Sequence, residues 1–257
     1  MGKTQIKRAV TLKSESQLAL MREAGRIVAE VLDLVSREAR PGVSTLDLDR
    51  LAEAHIRKRG AVPSFKGYRG FPATLCTSLN EEIVHGIPSA KRILRDGDVL
   101  KIDCGAIYRG WQGDAARSVV VGAPQNGAAA LVDATRAALE RGVAATRAGG
   151  HVSDIGQAIE DFAAAQGYGV VREYCGHGIG RDLHEEPAVP NYGPAGQGQE
   201  LLPGMVLCIE PMLNAGTGET QQLSDGWTVK TRDGKLSAHF EHTVAVTESG
   251  PRVLTLP

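Results

Sequence analysis

From the serines at 14 and 16 onward, apolar residues recur at helical spacing: Leu20, Ala24, Ile27, Val28, Val31 and Val35 make one stripe. Arg22, Arg26, Glu30 and Arg37 fall on other faces. With Ser14 or Ser16 as N-cap, this predicts a helix to about residue 39, stopped by Pro41-Gly42. Thr45 is expected to cap a second helix ending at Gly60. Residues 72–79 read as a strand, and Asn80 opens a turn. Asp96-Gly97 precedes a mostly apolar segment over 99–107, a turn at Tyr108-Arg109-Gly110 and a return strand over 111–121. This is a hairpin, with Gly110 supplying the left-handed residue of a three-residue loop.

The second half repeats the first. Helices are expected over 128–145 and 152–165, and residues 40–60 lie on 147–167 without gaps. The pairs Arg40/Arg147, Gly42/Gly149, Asp47/Asp154, Glu53/Glu160 and Gly60/Gly167 give five identities in twenty-one positions. We read a duplicated helix-helix-strand unit. Strands then follow over 206–212, 227–230, 237–246 and 253–256, with Asp233-Gly234 as another hairpin turn. The class is α/β (α+β). No linker divides the chain, so residues 15–257 form one domain behind a flexible tail at 1–14.

Composition narrows the function. With 257 residues, 42% hydrophobic and 23% charged, the chain can bury a substantial core and is not collagen-like, disordered or a disulfide scaffold. A net charge of -1 from 29 basic and 30 acidic side chains provides no global field for nucleic acid. No apolar run spans a bilayer, and no apolar segment follows Lys3, Lys7, Arg8 and Lys13 as a secretory signal requires. Cys76, Cys104, Cys175 and Cys208 form no CxxC pair. A reducing, cytoplasmic setting is expected.

The chemistry begins with Asp103 and Asp114, on opposite arms of the hairpin. A two-residue loop at Tyr108-Arg109 sets them directly opposite. A three-residue loop moves the register by one, which a bulge at Gly113 restores. Directly opposed Cβ atoms lie about 5 Å apart, and two buried carboxylates that close need a shared proton or a cation. The plainer alternative is one solvated Asp and one paired with an arginine. Gly105 leaves room for backbone or ligand. His177 stands among glycines in Gly176-His177-Gly178-Ile179-Gly180, ahead of His184-Glu185-Glu186-Pro187. Glu210-Pro211 ends an apolar strand, and Glu241 shares a face with Thr243 and Ala245. Singly, each Glu is as readily a salt bridge as a ligand. Together, four carboxylates and one imidazole in an apolar sheet carry a charge that two divalent cations neutralise, and oxygen-rich ligands with one imidazole suit Mn, Fe, Co or Zn.

These residues resemble the type I methionine aminopeptidases. His85-Gly86-Ile87-Pro88 after Asn80-Glu81-Glu82, the Asp103/Asp114 pair, Cys175 to Gly180, His184 to Pro187, Ile209-Glu210-Pro211 and Glu241-His242-Thr243 occur in that family's order over residues 15–256. The resemblance implies a pita-bread fold: two pseudo-symmetric halves around a curved antiparallel sheet. It implies a two-metal site in which Asp114 and Glu241 match bridging ligands. Asp103 matches a ligand of one ion, and His177 and Glu210 match ligands of the other. It also implies that Glu210 shuttles a proton, that His184 stabilises the oxyanion, and that His85 places the substrate backbone or assists the leaving amine. By the same resemblance Tyr68, Phe71, Cys76 and Trp227, each equally readable as plain core, are expected to line a methionine pocket, whose shape Leu183 and Phe65 alter relative to the usual pattern. The expected reaction is removal of the first methionine from nascent chains with a small second residue, by a monomer of the short bacterial-like form. The basic N-terminal residues are a flexible tail or a transient ribosome contact. Prolidase and aminopeptidase P share the acidic site and usually carry an additional N-terminal domain. Non-catalytic relatives lose ligands, whereas all five positions here keep ligand-capable side chains.

Overall fold

Ser14 accepts from the Gln17 amide while Gln17 returns a bond to the Ser14 amide, and this capping box launches α1 (Glu15–Glu38). Ser44, one residue before the expected Thr45, caps α2 (Thr45–Lys58). The structure, a computed structural model, describes residues 10–257. The first half continues through β1 (Val62–Pro63), a 3-10 turn (Tyr68–Gly70), β2 (Leu75–Leu79), β3 (Glu82–Val84), β4 (Val99–Tyr108) and β5 (Trp111–Val120). The second contains α3 (Ala128–Ala145), α4 (Val152–Ala165), β6 (Gly169–Val170), β7 (Gly176–Gly178), β8 (Glu185–Val189), β9 (Val206–Ile209) and β10 (Met212–Asn214). It closes with β11 (Thr220–Gln222), β12 (Val229–Thr231), β13 (Ser237–His239), β14 (His242–Thr247) and β15 (Gly250–Val253). No helix among the described residues is long and apolar enough to cross a membrane.

The duplication extends beyond the residues that displayed it. At the same offset of 107 (147 less 40), Ser44 bridges Ile93 and His151 bridges Glu200. The Gly42 amide donates to Leu94 O and the Gly149 amide to Leu201 O, both at 2.9 Å. Val99 and Val206, which open β4 and β9, keep the offset, as do Asp103 and Glu210. Each half has its own core. Ile27, Val31, Leu48, Leu75 and Leu100 belong to the first. Leu131, Ile155, Leu207, Leu213 and Val244 belong to the second.

The sheet forms as separate antiparallel pieces. One is β1-β4-β2 with β5 on β4, and another is β15-β14-β9-β7-β8. They are sewn together where β5 meets residues 239–243. The Glu241 amide donates to Ala116 O (2.9 Å), Ser118 Oγ donates to His239 O (2.8 Å), and Thr243 Oγ donates to Asp114 O (2.7 Å).

Several expectations are corrected. The strands over 206–212 and 237–246 each break in two, at Glu210-Pro211 and at Phe240-Glu241. Proline lacks the N–H that would continue the ladder. The register survives the break, since Ile209 faces His242 before it and Met212 faces His239 after it. The paired strands therefore bend together without slipping. The final strand is Gly250–Val253 rather than 253–256. Asp233-Gly234 does turn the chain, but its flanks join different sheets, so no hairpin forms. The hairpin loop at β4–β5 has two residues, Arg109 (φ 49) and Gly110 (φ 77), with Tyr108 facing Trp111. Positive φ at both is the type I′ turn, whose twist suits the strands. Gly113 makes no bulge. A Cβ there would lie 2.6 Å from the Gly25 amide nitrogen, so the glycine admits α1 onto the sheet. Gly105 makes room for Phe65 and Ser64, not for a ligand.

Of the expected tail, residues 1–9, with Lys3, Lys7 and Arg8, lie outside the described residues. Residues 10–14 are anchored at two points: Val10 packs on the second core, and buried Lys13 meets Glu185 Oε2 at 2.7 Å while its amide donates to Gly204 O.

The α1–β5 contact yields a test. Gly113→Ala sets a methyl against helix backbone that has no room to move, and is expected to lower stability by about 1–3 kcal/mol in urea unfolding. An unchanged midpoint would show that the close approach is not needed.

Candidate metal centre

Asp103 on β4 faces Ala116, and Asp114 on β5 faces Gly105. The aspartates are therefore diagonal neighbours on one face, not directly opposed, a separation of about 7 Å between Cα atoms in antiparallel sheets. The other half adds three groups. His177 on β7 lies beside Cys208 of β9, which in turn lies beside Thr243 of β14. Glu210 and Glu241 sit at the shared bend of their strands. There the side chains leave the pleat, so one bend supplies two carboxylates to one place.

All five groups line a single cavity of 190 Å³. His177 Nε2 lies 3.6 Å from Glu210 Oε1. Ligand atoms of Asp114, His177, Cys208 and Glu241 all fall within 4.8 Å of one another. Asp103 Oδ1, Asp114 Oδ1 and Glu241 Oε1 are buried without a hydrogen-bond partner among the described residues. Native proteins rarely leave such atoms unmet.

The electrostatics follow. Burial raises the Asp103 carboxyl to about 7. Burial, then the Glu241 and Asp103 charges, pushes Asp114 well up, and Glu210 and Glu241 rise for the same reasons. Burial drives His177 down to about 3, so its ring is neutral. Its Nδ1 donates to Gly178 O at 2.9 Å, which leaves the Nε2 lone pair free to ligate. Anionic oxygens held together without a counter-charge, with one oriented imidazole, fit divalent cations.

The remaining expected residues, His85, His184, Tyr68, Phe71, Cys76 and Trp227, line the same cavity, with Phe65, Leu183 and Arg69. His85 takes a left-handed backbone (φ 61) beside Gly86, where a Cβ would strike Thr77 O at 2.3 Å. Strain held this tightly collects at functional sites. The His85 ring stands edge-on to Trp227 at 6.3 Å, and burial lowers it to about 4. His184 lies 4.2 Å from the His177 ring, and its Nδ1 is 2.8 Å from Tyr68 Oη. Burial, then the Arg69 charge, lowers His184 as well. A larger groove of 680 Å³, between α1 and α3, gathers no comparable ligand set.

Sequence reasoning missed some participants. Cys208 enters the tight group of ligand-capable atoms, yet burial and then the Glu241 and Asp114 charges hold its thiol protonated. Thr243 Oγ accepts from the Asp114 amide at 3.1 Å and locks β5 to β14. Its alternation with Glu241 was the visible signal. His239, 3.9 Å from Glu210, and Tyr174, against the His85 ring, bore no signal at all.

Comparison with known proteins agrees with this arrangement. The profile of metallopeptidase family M24 matches residues 19–248. A methionine aminopeptidase of Clostridium acetobutylicum is 50% identical over 247 residues, covering 96% of this chain and 99% of that enzyme. The crystal structure of methionine aminopeptidase from Rickettsia prowazekii superposes with a TM-score of 0.94 at 41% identity, over 96% of this chain and 100% of that one. A prolidase from Pyrococcus horikoshii OT3 shares the fold at a TM-score of 0.76 and 25% identity, but the match covers only 63% of its chain. Matched by the family across most of its length, and half identical to one of its members nearly end to end, the chain belongs to metallopeptidase family M24 and, within it, to the methionine aminopeptidases.

Proposed function

We propose that the cavity removes the first methionine from polypeptides whose second residue is small, acting in the cytoplasm on nascent chains. The observation that carries this reading is the set of buried, unpartnered oxygens on Asp103, Asp114 and Glu241. With His177 and Glu210 they would hold two divalent ions of the Co, Mn, Fe or Zn kind. When bound, the ions supply Lewis acidity and an attacking hydroxide near neutral pH.

The chain's own residues do the rest. The loaded ligand cage would receive the substrate's free amino terminus, so only the first residue reaches the scissile position. Phe71, Trp227, Cys76, Tyr68 and the flanking Phe65 and Leu183 form an apolar sleeve for a flexible thioether. Phe71 and Trp227 meet edge to face at 5.1 Å. Glu210 takes the proton from the attacking water and returns it to the leaving amine. With the Tyr68 hydroxyl donating to Nδ1, neutral His184 keeps its proton on Nε2 and donates to the developing oxyanion. His85 holds the peptide backbone across the scissile bond.

Peptide assays separate the prolidase-like alternative: release of methionine from Met-Ala-Ser supports the proposal, and selective cleavage of an X-Pro peptide overturns it. Asp103→Asn and Glu210→Gln are each expected to lower kcat/KM by about a thousandfold in metal-defined buffer, with the folding midpoint in chelator no lower than wild type. Wild-type turnover in either would defeat the ligand scheme. His85→Ala should keep the metal stoichiometry, read by elemental analysis, while kcat falls; loss of metal would show that His85 acts as a ligand.

Proton linkage gives a further test. Folded and metal-free, Asp103 keeps its proton up to about pH 7, whereas an unfolded carboxyl releases it near pH 4. Between these values the folded state binds the extra proton, so this group destabilises increasingly as pH rises. In chelator, Asp103→Asn should therefore exceed wild type in thermal midpoint by a margin that grows between about pH 4 and pH 7. Manganese should reverse the order by stabilising wild type more. A margin independent of pH would mean that Asp103 is not forced into this cage.

A further inference from the structure

Outward from the catalytic cavity a second cleft of 420 Å³ opens. The two share Tyr68, Arg69, Leu183 and His184, so one leads into the other across the His184 ring. A peptide held by its amino terminus among the carboxylates presents its first peptide bond to His85 and His184. The chain beyond that bond leaves through this shared wall. The floor there is polar and ordered: Ser64 Oγ donates to Gln112 Oε1 at 2.6 Å, and Gln112 Nε2 donates to Arg181 O at 3.3 Å.

Two arginines stand at the rim. The Arg69 guanidinium lies 5.3 Å from the Tyr68 ring centre, and that of Arg181 lies 4.4 Å from Trp111. Stacking engages the flat face of a guanidinium and leaves its in-plane donors for other partners, of which Arg181 uses one on Gly110 O at 3.4 Å. Among the described residues, neither meets a carboxylate oxygen within 4.0 Å. Asp182 is the one acidic residue among those lining this cleft, against two arginines. Carboxylate-rich at its depth and cationic at its mouth, the site has a charge gradient along the path of the substrate.

We propose that Arg69 and Arg181 select substrates by the charge of the residues beyond the second, favouring Asp or Glu at the third and fourth positions over Lys or Arg. This specificity rests on the aminopeptidase reading and adds to it a class of preferred polypeptides.

The test compares Met-Ala-Glu-Glu, Met-Ala-Ser-Ser and Met-Ala-Lys-Lys peptides on the manganese-loaded protein. The acidic peptide should exceed the basic one in kcat/KM by about fivefold at low ionic strength, the difference lying in KM, and the ratio should approach one at high salt. Replacing both arginines (Arg69→Gln with Arg181→Gln) should abolish the ratio, and reversing both (Arg69→Glu with Arg181→Glu) should invert it. Equal kcat/KM for the two charged peptides in wild type, or a ratio that persists in both double variants, overturns the proposal. Failure to release methionine from Met-Ala-Ser-Ser would instead defeat the aminopeptidase reading, and this inference with it.

Discussion

Four carboxylates share one buried volume with no arginine or lysine bonded to them among the described residues, and the rest of the structure is arranged around that fact. Isolated buried charges cost several kcal/mol each. The metal-free protein meets this by protonation, with Asp103 raised to about 7 and the other three displaced in the same direction. Divalent cations meet it by neutralisation. A ligand that binds only the folded state stabilises it by mass action, so the repulsion that weakens the empty fold is also the source of its affinity for the ions. The fold tolerates the cage because two hydrophobic cores flank it and hold the backbone from both sides.

The cage lies on the seam between the duplicated halves. Asp103 and Asp114 come from β4 and β5, and His177, Glu210 and Glu241 come from the other unit. Asp103 and Glu210 occupy equivalent places in the repeat, at the offset of 107 that also relates the Ser44 and His151 bridges. Duplication thus placed a carboxylate at corresponding points of two sheets, and joining those sheets edge to edge brought the points together. The joint itself is specific. Thr243 both donates to Asp114 O and accepts from the Asp114 amide, and Ser118 Oγ both donates to His239 O and accepts from the His239 amide. Short hydroxyl side chains complete the pairing where backbone alone cannot, because the bend at Glu210-Pro211 and Phe240-Glu241 interrupts the ladder.

What could be read from the sequence follows from how local each signal is. The bounds of α3 and α4 coincide with the amphipathic runs, because a helix is determined by its own periodicity and caps. The sequence predicts continuous strands over 206–212 and 237–246 because apolar residues lie on both sides of Glu210 and of Glu241. The bend between them depends on two distant segments turning together, and Pro211 was the only local trace of it. The hairpin register was misread by its turn: Arg109 at positive φ is unusual for a residue with a Cβ, so the loop was drawn one residue too long. The aspartates still share a face, since a shift of two residues preserves the pleat. For the site, motifs brought all eleven expected residues to one cavity. Tyr174, His239 and Arg69 escaped because their roles come from neighbours far away in the chain.

The histidines show why burial, rather than charge, shapes the chemistry here. His177 and His184 have ring centres 4.2 Å apart, too close for both to be cationic at little cost; His177 is buried, whereas His184 is open to solvent. Desolvation is the leading cause of the downward shift in His85, His177 and His184 alike. Neutral imidazole is the useful form at each place. On His177 it leaves a lone pair for a cation, with the Gly178 carbonyl choosing which nitrogen carries it. On His184 Nδ1 shares a 2.8 Å hydrogen bond with Tyr68 Oη. Protonating His177 would consume the Nε2 lone pair that a cation needs, whereas protonating His184 would leave its N–H donors in place. Apolar packing by Phe71, Leu183 and Trp227 beside these rings therefore both shapes the pocket and disfavours the charged form of the three imidazoles.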